Sequence, residues 1–143
     1  MTRRVPWGLA LLAAVLWLHP ARAGGLEISG AAAYWTEHSS AFGVTLGKFW
    51  DLPGVQLGPR VGFAYLTSPS SGAIPADLVA RFGIGSFYLE GQAGAWFFLA
   101  RDPVVRFHAT GGGGLDLGIV RLGVEAGYLH DGALLGARVS LAL

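Results

Sequence analysis

"RFHATGGGGLDLG", residues Arg106 to Gly118, holds four consecutive glycines. A glycine run suits a flexible linker, and a linker here would divide the chain into two parts. The flanks argue for a single element. Arg106, His108 and Thr110 sit at alternate positions before the run, and Asp116 keeps their parity after it. Val105, Phe107, Ala109, Leu115 and Leu117 hold the other parity throughout. Alternation is the period of a half-buried strand, and a linker has no reason to keep phase across four residues. The stretch therefore reads as the middle of one strand over residues 104–117.

The same period recurs on both sides. It predicts strands at 26–35, 41–50, 55–67, 76–84, 87–99, 104–117, 120–130 and 134–143. The connections alternate in place. "TEHSS" (36–40), "SPSSGAIP" (68–75), "ARD" (100–102) and "DGA" (131–133) fall at one end, and "DLPG" (51–54), "GS" (85–86) and 118–119 at the other. Pro, Gly, Asp and Ser supply the backbone angles of tight turns. Eight strands joined by short links are antiparallel neighbours in an up-and-down meander.

Each strand has two unlike faces. One carries Glu27, Arg60, Asp77, Arg81, Glu90, Arg106, Asp116, Arg121, Glu125 and Arg138, five bases and five acids. The other is apolar and carries a single charge, Lys48 near a strand end, where its stem lets the ammonium snorkel. Aromatic residues of the apolar face gather towards the strand ends. Tyr34, Tyr65, Phe97, Phe107 and Tyr128 lie towards one end, and Trp50, Phe82 and Phe87 towards the other. On this reading Gly112 and Gly114 leave room inside for Tyr88, Glu90, Arg121 and Glu125, while Gly111 and Gly113 face outward and ease bending or accept aromatic cover.

Composition decides which face meets solvent. Apolar residues make up 52% of the 143 and charged residues 13%, where a soluble domain carries roughly 25% charged. The balanced charges suit a closed interior, where an unpaired charge is costly. The two aromatic bands suit headgroup depth in a bilayer. A sheet in hydrocarbon must also close. The expected fold is all-β, an eight-stranded antiparallel up-and-down transmembrane β-barrel whose lumen is closed by the charged side chains. A secreted soluble β-barrel with a lipid or other apolar ligand inside is the alternative by fold.

The N-terminus reads as a signal peptide, residues 1–23: Arg3 and Arg4, the apolar run "VPWGLALLAAVLWL" (5–18), and the small-x-small site "ARA" (21–23). Cleavage there leaves 24–143 as the barrel. Removing Arg3, Arg4 and Arg22 leaves seven basic residues against nine acidic, a net charge of −2 in place of +1. No basic excess remains to suggest nucleic-acid binding. There is no cysteine, hence no disulfide or thiolate chemistry, and the histidines and carboxylates show no metal-ligand spacing. No cofactor is expected.

Over 24–143 this pattern resembles the eight-stranded outer-membrane barrels, the OmpA/OmpX-like transmembrane domains. The final strand, "LLGARVSLAL" (134–143), is apolar at alternate positions to its end, as barrel-assembly signals of that family are, and departs from them in ending on Leu143 in place of an aromatic. The resemblance implies a monomer in the outer membrane of a diderm bacterium, with outer-membrane lipid and the barrel-assembly machinery as partners and a structural role in the envelope. Lipid A deacylases also resemble this chain in size and fold and use His-x-Ser with a Glu. Here "YLHDGALLG" (128–136) has Asp131 and Gly132 after His130, and "HSS" (38–40) falls in the first connection. Catalysis is therefore not expected. Glu90 and Glu125 read as salt-bridge partners of the arginines, not as a catalytic pair. A narrow pore would need the charge network to open.

Overall fold

A computed structural model describes residues 25–36, 39–100, 102 and 104–143. The signal-peptide segment, residues 1–23, lies outside the described residues, as does His38 of "HSS". The strands are β1 (Leu26–Trp35), β2 (Ser39–Lys48), β3 (Trp50–Leu52), β4 (Val55–Thr67), β5 (Ser70–Ile84), β6 (Phe87–Phe98), β7 (Val105–Asp116), β8 (Val120–Leu129) and β9 (Gly132–Ala142). β2 and β3 are one stave. Both pair with β4 in a single register, interrupted at Lys48 and Phe49, and the Phe49 N–H turns to the Gly25 carbonyl at 3.0 Å. All pairings are antiparallel between successive staves, and β1–β9 closes the sheet. The fold is thus a closed eight-stranded up-and-down barrel, and the glycine run lies within one unbroken strand, β7.

The stagger follows from the register. A line of directly paired residues runs Ala142, Glu27, Gly47, Arg60, Asp77, Gly94, His108, Leu129, Gly132. It returns to β9 ten residues from its start. With ~3.3 Å per residue and ~4.8 Å between strands, eight staves and a shear of ten give a tilt of about 40° and a radius of about 8 Å. A ten-residue strand at that tilt rises about 25 Å, the height of a membrane barrel's apolar band.

That radius explains the inward glycines differently from the sequence reading. A Cβ on Gly112 would strike the Val124 carbonyl oxygen, and one on Gly114 the Leu122 carbonyl oxygen. What these positions leave room for is the backbone of β8, brought close by tight curvature. Tyr88 finds its space over Gly123, where its hydroxyl occupies the position a Cβ would take. Outside, Gly113 is covered by Leu89, not by an aromatic ring, and Gly111 stands open.

Two connections are shorter than their composition suggests. The hairpin after β4 is only Ser68-Pro69, because the small and polar residues that follow still alternate, with Ser71, Ala73 and Pro75 inside and Ile74 outside. Pro75 has no N–H to give, and the β4–β5 ladder skips the positions opposite it. The last hairpin turns on His130-Asp131, with His130 at φ +57° in the left-handed region. Gly132 already belongs to β9, opposite Leu129.

Gly114→Val should abolish the folded barrel, read as loss of the species that migrates differently without boiling on a denaturing gel. Gly111→Ala, with nothing within 4 Å, should retain that species.

Candidate functional site

The barrel's functional surfaces are its lumen and its outer wall, and alternation assigns each residue to one of them. Even positions of β4, β6, β7 and β9 and odd positions of β1, β2, β5 and β8 point inward. This brings Glu27, Arg60, Asp77, Arg81, Glu90, Arg106, Asp116, Arg121, Glu125 and Arg138 into one lumen, buried or nearly so.

Glu27, 2% exposed, is the hub of the lower lumen, at the end where β1 begins and β9 ends. Its Oε2 accepts from Arg121 Nη1 at 2.7 Å and Arg81 Nη1 at 2.9 Å, and its Oε1 from Arg81 Nη2 at 3.0 Å and Arg60 Nη2 at 3.1 Å. Arginines from the neighbouring β4 and β5 and from β8 thus converge on one carboxylate of β1. Glu90 takes Arg60 Nη1 at 2.8 Å and Arg81 Nη2 at 2.6 Å. Asp116 holds Arg121 Nε at 2.9 Å. Below, Phe49 offers its ring face to Arg81 at 4.6 Å and to Arg60 at 5.6 Å, the geometry of a cation–π contact. Charge-assisted bonds of this length are the strong class, and in a low-dielectric interior each guanidinium depends on them.

Gln92 joins this layer to the next. It accepts from Arg60 Nη1 at 2.9 Å and donates to Thr110 at 2.8 Å and Glu125 at 3.1 Å. Glu125 also receives Arg138 Nη2 at 2.9 and 3.1 Å on its two oxygens. Asp77 and His108 Nδ1 lie 2.9 Å apart.

The upper lumen is apolar, a feature the sequence reading missed. Trp35, Leu66, Phe98, Leu129 and Leu134 form a buried cluster with Trp96 and several alanines. Trp35 Nε1 donates to the Leu129 carbonyl at 3.0 Å, and the Trp35 and Phe98 rings lie 6.3 Å apart. Arg106 caps the cluster, with its guanidinium 4.9 Å from the Phe98 ring and 5.3 Å from Trp35. The signal was present in parity: Trp35 shares phase with Glu27, Leu66 with Arg60, and Phe98 with Glu90.

The outer wall is apolar. Tyr34, Trp50, Tyr65, Phe82, Phe87, Phe97, Phe107 and Tyr128 all point outward, from 42% exposed at Phe97 to 80% at Phe107. Tyr65 Oη donates to Ser70 Oγ at 3.0 Å beside the upper turn. Among the described strand residues Lys48 is the one charged side chain on this wall. A continuous apolar exterior of this size is foreign to a water-facing domain.

A mouth of about 260 Å³ opens at the lower end beside Asp51, Gln56, Tyr88 and Arg121. It narrows onto the Glu27 cluster. Among the described residues no three His, Asp or Glu side chains are placed to hold a metal ion. His130 Nε2 meets Asp131 Oδ2 at 3.1 Å in an exposed turn, and Ser39 is turned inward to the backbone of Ser68.

No protein-family model matches the chain, and no curated protein matches it. Among solved structures, a de novo designed transmembrane β-barrel matches with a TM-score of 0.70 and 16% identity, covering 87% of this chain and all of that one. A second designed barrel, TMB2.3, known from a solution NMR structure, gives a TM-score of 0.64 at 18% identity and covers 85% of this chain and 96% of its own. At these identities the likeness is one of fold, and the fold is that of a transmembrane β-barrel.

Glu27→Gln keeps the shape but leaves three buried guanidiniums without their shared carboxylate. It should lower unfolding stability by about 3–5 kcal/mol, measured by urea titration in detergent micelles. Asp131→Asn, in the exposed turn, should change it little.

Proposed function

We propose that this protein is a monomeric integral outer-membrane β-barrel of a diderm bacterium, exported by a cleaved N-terminal signal and structural in role. The observation that carries the reading is its inverted polarity. Paired charges and a tryptophan-rich plug fill the inside, while aliphatic side chains bounded by aromatic rings cover the outside. Such a wall is stable in lipid, and the aromatic rings sit where headgroups begin. The likeness to OmpA/OmpX-like domains extends this reading to biogenesis: the alternating β9 is the segment offered to the assembly machinery, and lipid is the lasting partner.

The soluble lipid carrier loses support from the same facts, since ten charged side chains occupy the space an apolar ligand would need. The pore reading loses support from the plug above the ionic layer. For acyl hydrolysis, His130 lies in an exposed turn against Asp131, and Ser39 faces the backbone of Ser68. The charge network is assigned a structural task, holding eight staves together from within. Neither nucleic acid nor a cofactor enters this reading.

Envelope fractions run on a denaturing gel with and without boiling test it. A band in the outer-membrane fraction that shifts on heating is the expected result, together with near-zero conductance when the protein is reconstituted in a planar bilayer. A soluble, unshifted band would overturn the membrane assignment, and steady conductance would overturn the closed lumen.

A further inference from the structure

Between the apolar plug and the ionic layer lies a chamber of about 30 Å³. It exists because the β1–β2–β4 side of the lumen is lined with small residues, among them Ala33, Gly43 and Ala64. The other side carries Trp96, His108 and Arg138, with Arg60 and Thr45 completing the wall. All five of these residues are at least nine-tenths buried. Each has side-chain atoms without a hydrogen-bond partner: Thr45 Oγ1, Arg60 Nε, Trp96 Nε1, His108 Nε2, and Arg138 Nε and Nη1. Buried donors left alone are costly, the more so inside a barrel in hydrocarbon.

The chemistry of the set is one-sided. The Trp96, Arg60 and Arg138 nitrogens can only donate, and Thr45 can donate. His108 is the exception. Its Nδ1 faces the Asp77 carboxylate at 2.9 Å and so carries the hydrogen, which leaves Nε2 of the neutral ring a bare acceptor. Protonation turns Nε2 into a donor like the rest. While the ring is neutral, water suits the set, donating to Nε2 and to Thr45 Oγ1. Once Nε2 is protonated, Thr45 Oγ1 is the one acceptor left in the set, and the Glu125 oxygens are already engaged by Arg138 and Gln92, so water's hydrogens lose their place. An anion accepts from every direction and brings no hydrogen. Its charge must be cancelled, since five lumen arginines already balance five carboxylates. Imidazole is the side chain whose charge changes near neutral pH. The groups facing it are Asp77 of β5, Trp96 of β6, Glu125 of β8, Arg138 of β9, Arg60 of β4 and Thr45 of β2, while β1 offers only alanines.

We propose that this chamber binds a small monovalent anion of chloride size, taken up together with a proton on His108. The inference rests on the closed lumen and not on the membrane in which the barrel resides.

The test uses the folded barrel in detergent micelles, refolded in each salt so that the closed lumen equilibrates. Sodium chloride is titrated at constant ionic strength, with sodium sulfate as the balancing salt, and the tryptophan indole N–H signals are followed by NMR. Beyond residue 23 the chain has Trp35, Trp50 and Trp96. Trp35 is tied to the Leu129 carbonyl and Trp50 points outward, so both serve as references. The Trp96 signal should move saturably at about pH 5.5, with a midpoint at least roughly tenfold higher at about pH 8. Thr45→Val, which keeps the side-chain shape, should raise the acid midpoint about tenfold, and His108→Gln should remove the pH difference. A Trp96 signal indifferent to chloride at both pH values would overturn the proposal and leave a hydrated cavity. An equal response at both pH values would overturn the coupled proton. Should a variant fail to fold, the two titrations of the unaltered protein decide both points.

Discussion

A backbone amide in hydrocarbon has no water to turn to, so a sheet placed there must return to its own first strand. The β1–β9 seam meets that demand, and most else in the structure follows from how it is met. Eight staves at a shear of ten leave a tube about 8 Å in radius, and at that radius inward side chains cannot avoid one another. Gly112 and Gly114 yield to the backbone of β8, Gly123 yields to Tyr88, and the residues that keep side chains have to interlock.

How they interlock differs between the two halves. Below, guanidinium forks and carboxylates satisfy one another, with Phe49 and Tyr88 supplying ring faces at the rim. Above, tryptophan, phenylalanine and leucine pack as they would in the core of a soluble protein. The ionic half contributes direction more than raw stability, since a buried ion pair roughly breaks even against an apolar substitute while a broken pair is strongly destabilising. The apolar half needs no such exact pairing. A barrel interior that is polar at one end and oily at the other is held by two different kinds of force.

Much of this was legible from residue parity. The phase of Arg106, His108, Thr110 and Asp116 across the four glycines identified one strand, and parity in the other strands separated wall from lumen. What parity could not supply was position around the barrel. Nothing in the chain says that Glu27 meets arginines from β4, β5 and β8, or that Arg138 is held by Glu125, because those meetings depend on shear and side-chain reach. Turn chemistry also misled locally. Serines, Gly72 and Pro75 after Ser68 read as a long connection, although their alternation is that of a strand whose ladder is interrupted at the proline. The plug is hard to see in sequence for a related reason. An aromatic residue looks the same in sequence whether it faces lipid or lumen, and only strict parity distinguishes Trp35 from Tyr34.

The threefold grip on Glu27 bears on how the barrel comes apart and together. Its carboxylate sits near the start of the first strand, and the last of its three arginines lies 94 residues further along the chain. That contact crosses the β1–β9 seam, so it forms only when the first and last strands meet. The ionic centre is then a latch completed on closure, and before closure Arg121 lacks its Glu27 partner. Opening from either edge of the seam must break the same latch, which ties local fraying to global unfolding. A domain whose decisive contact spans nearly its whole length is expected to fold slowly and, once shut, to open as a single unit.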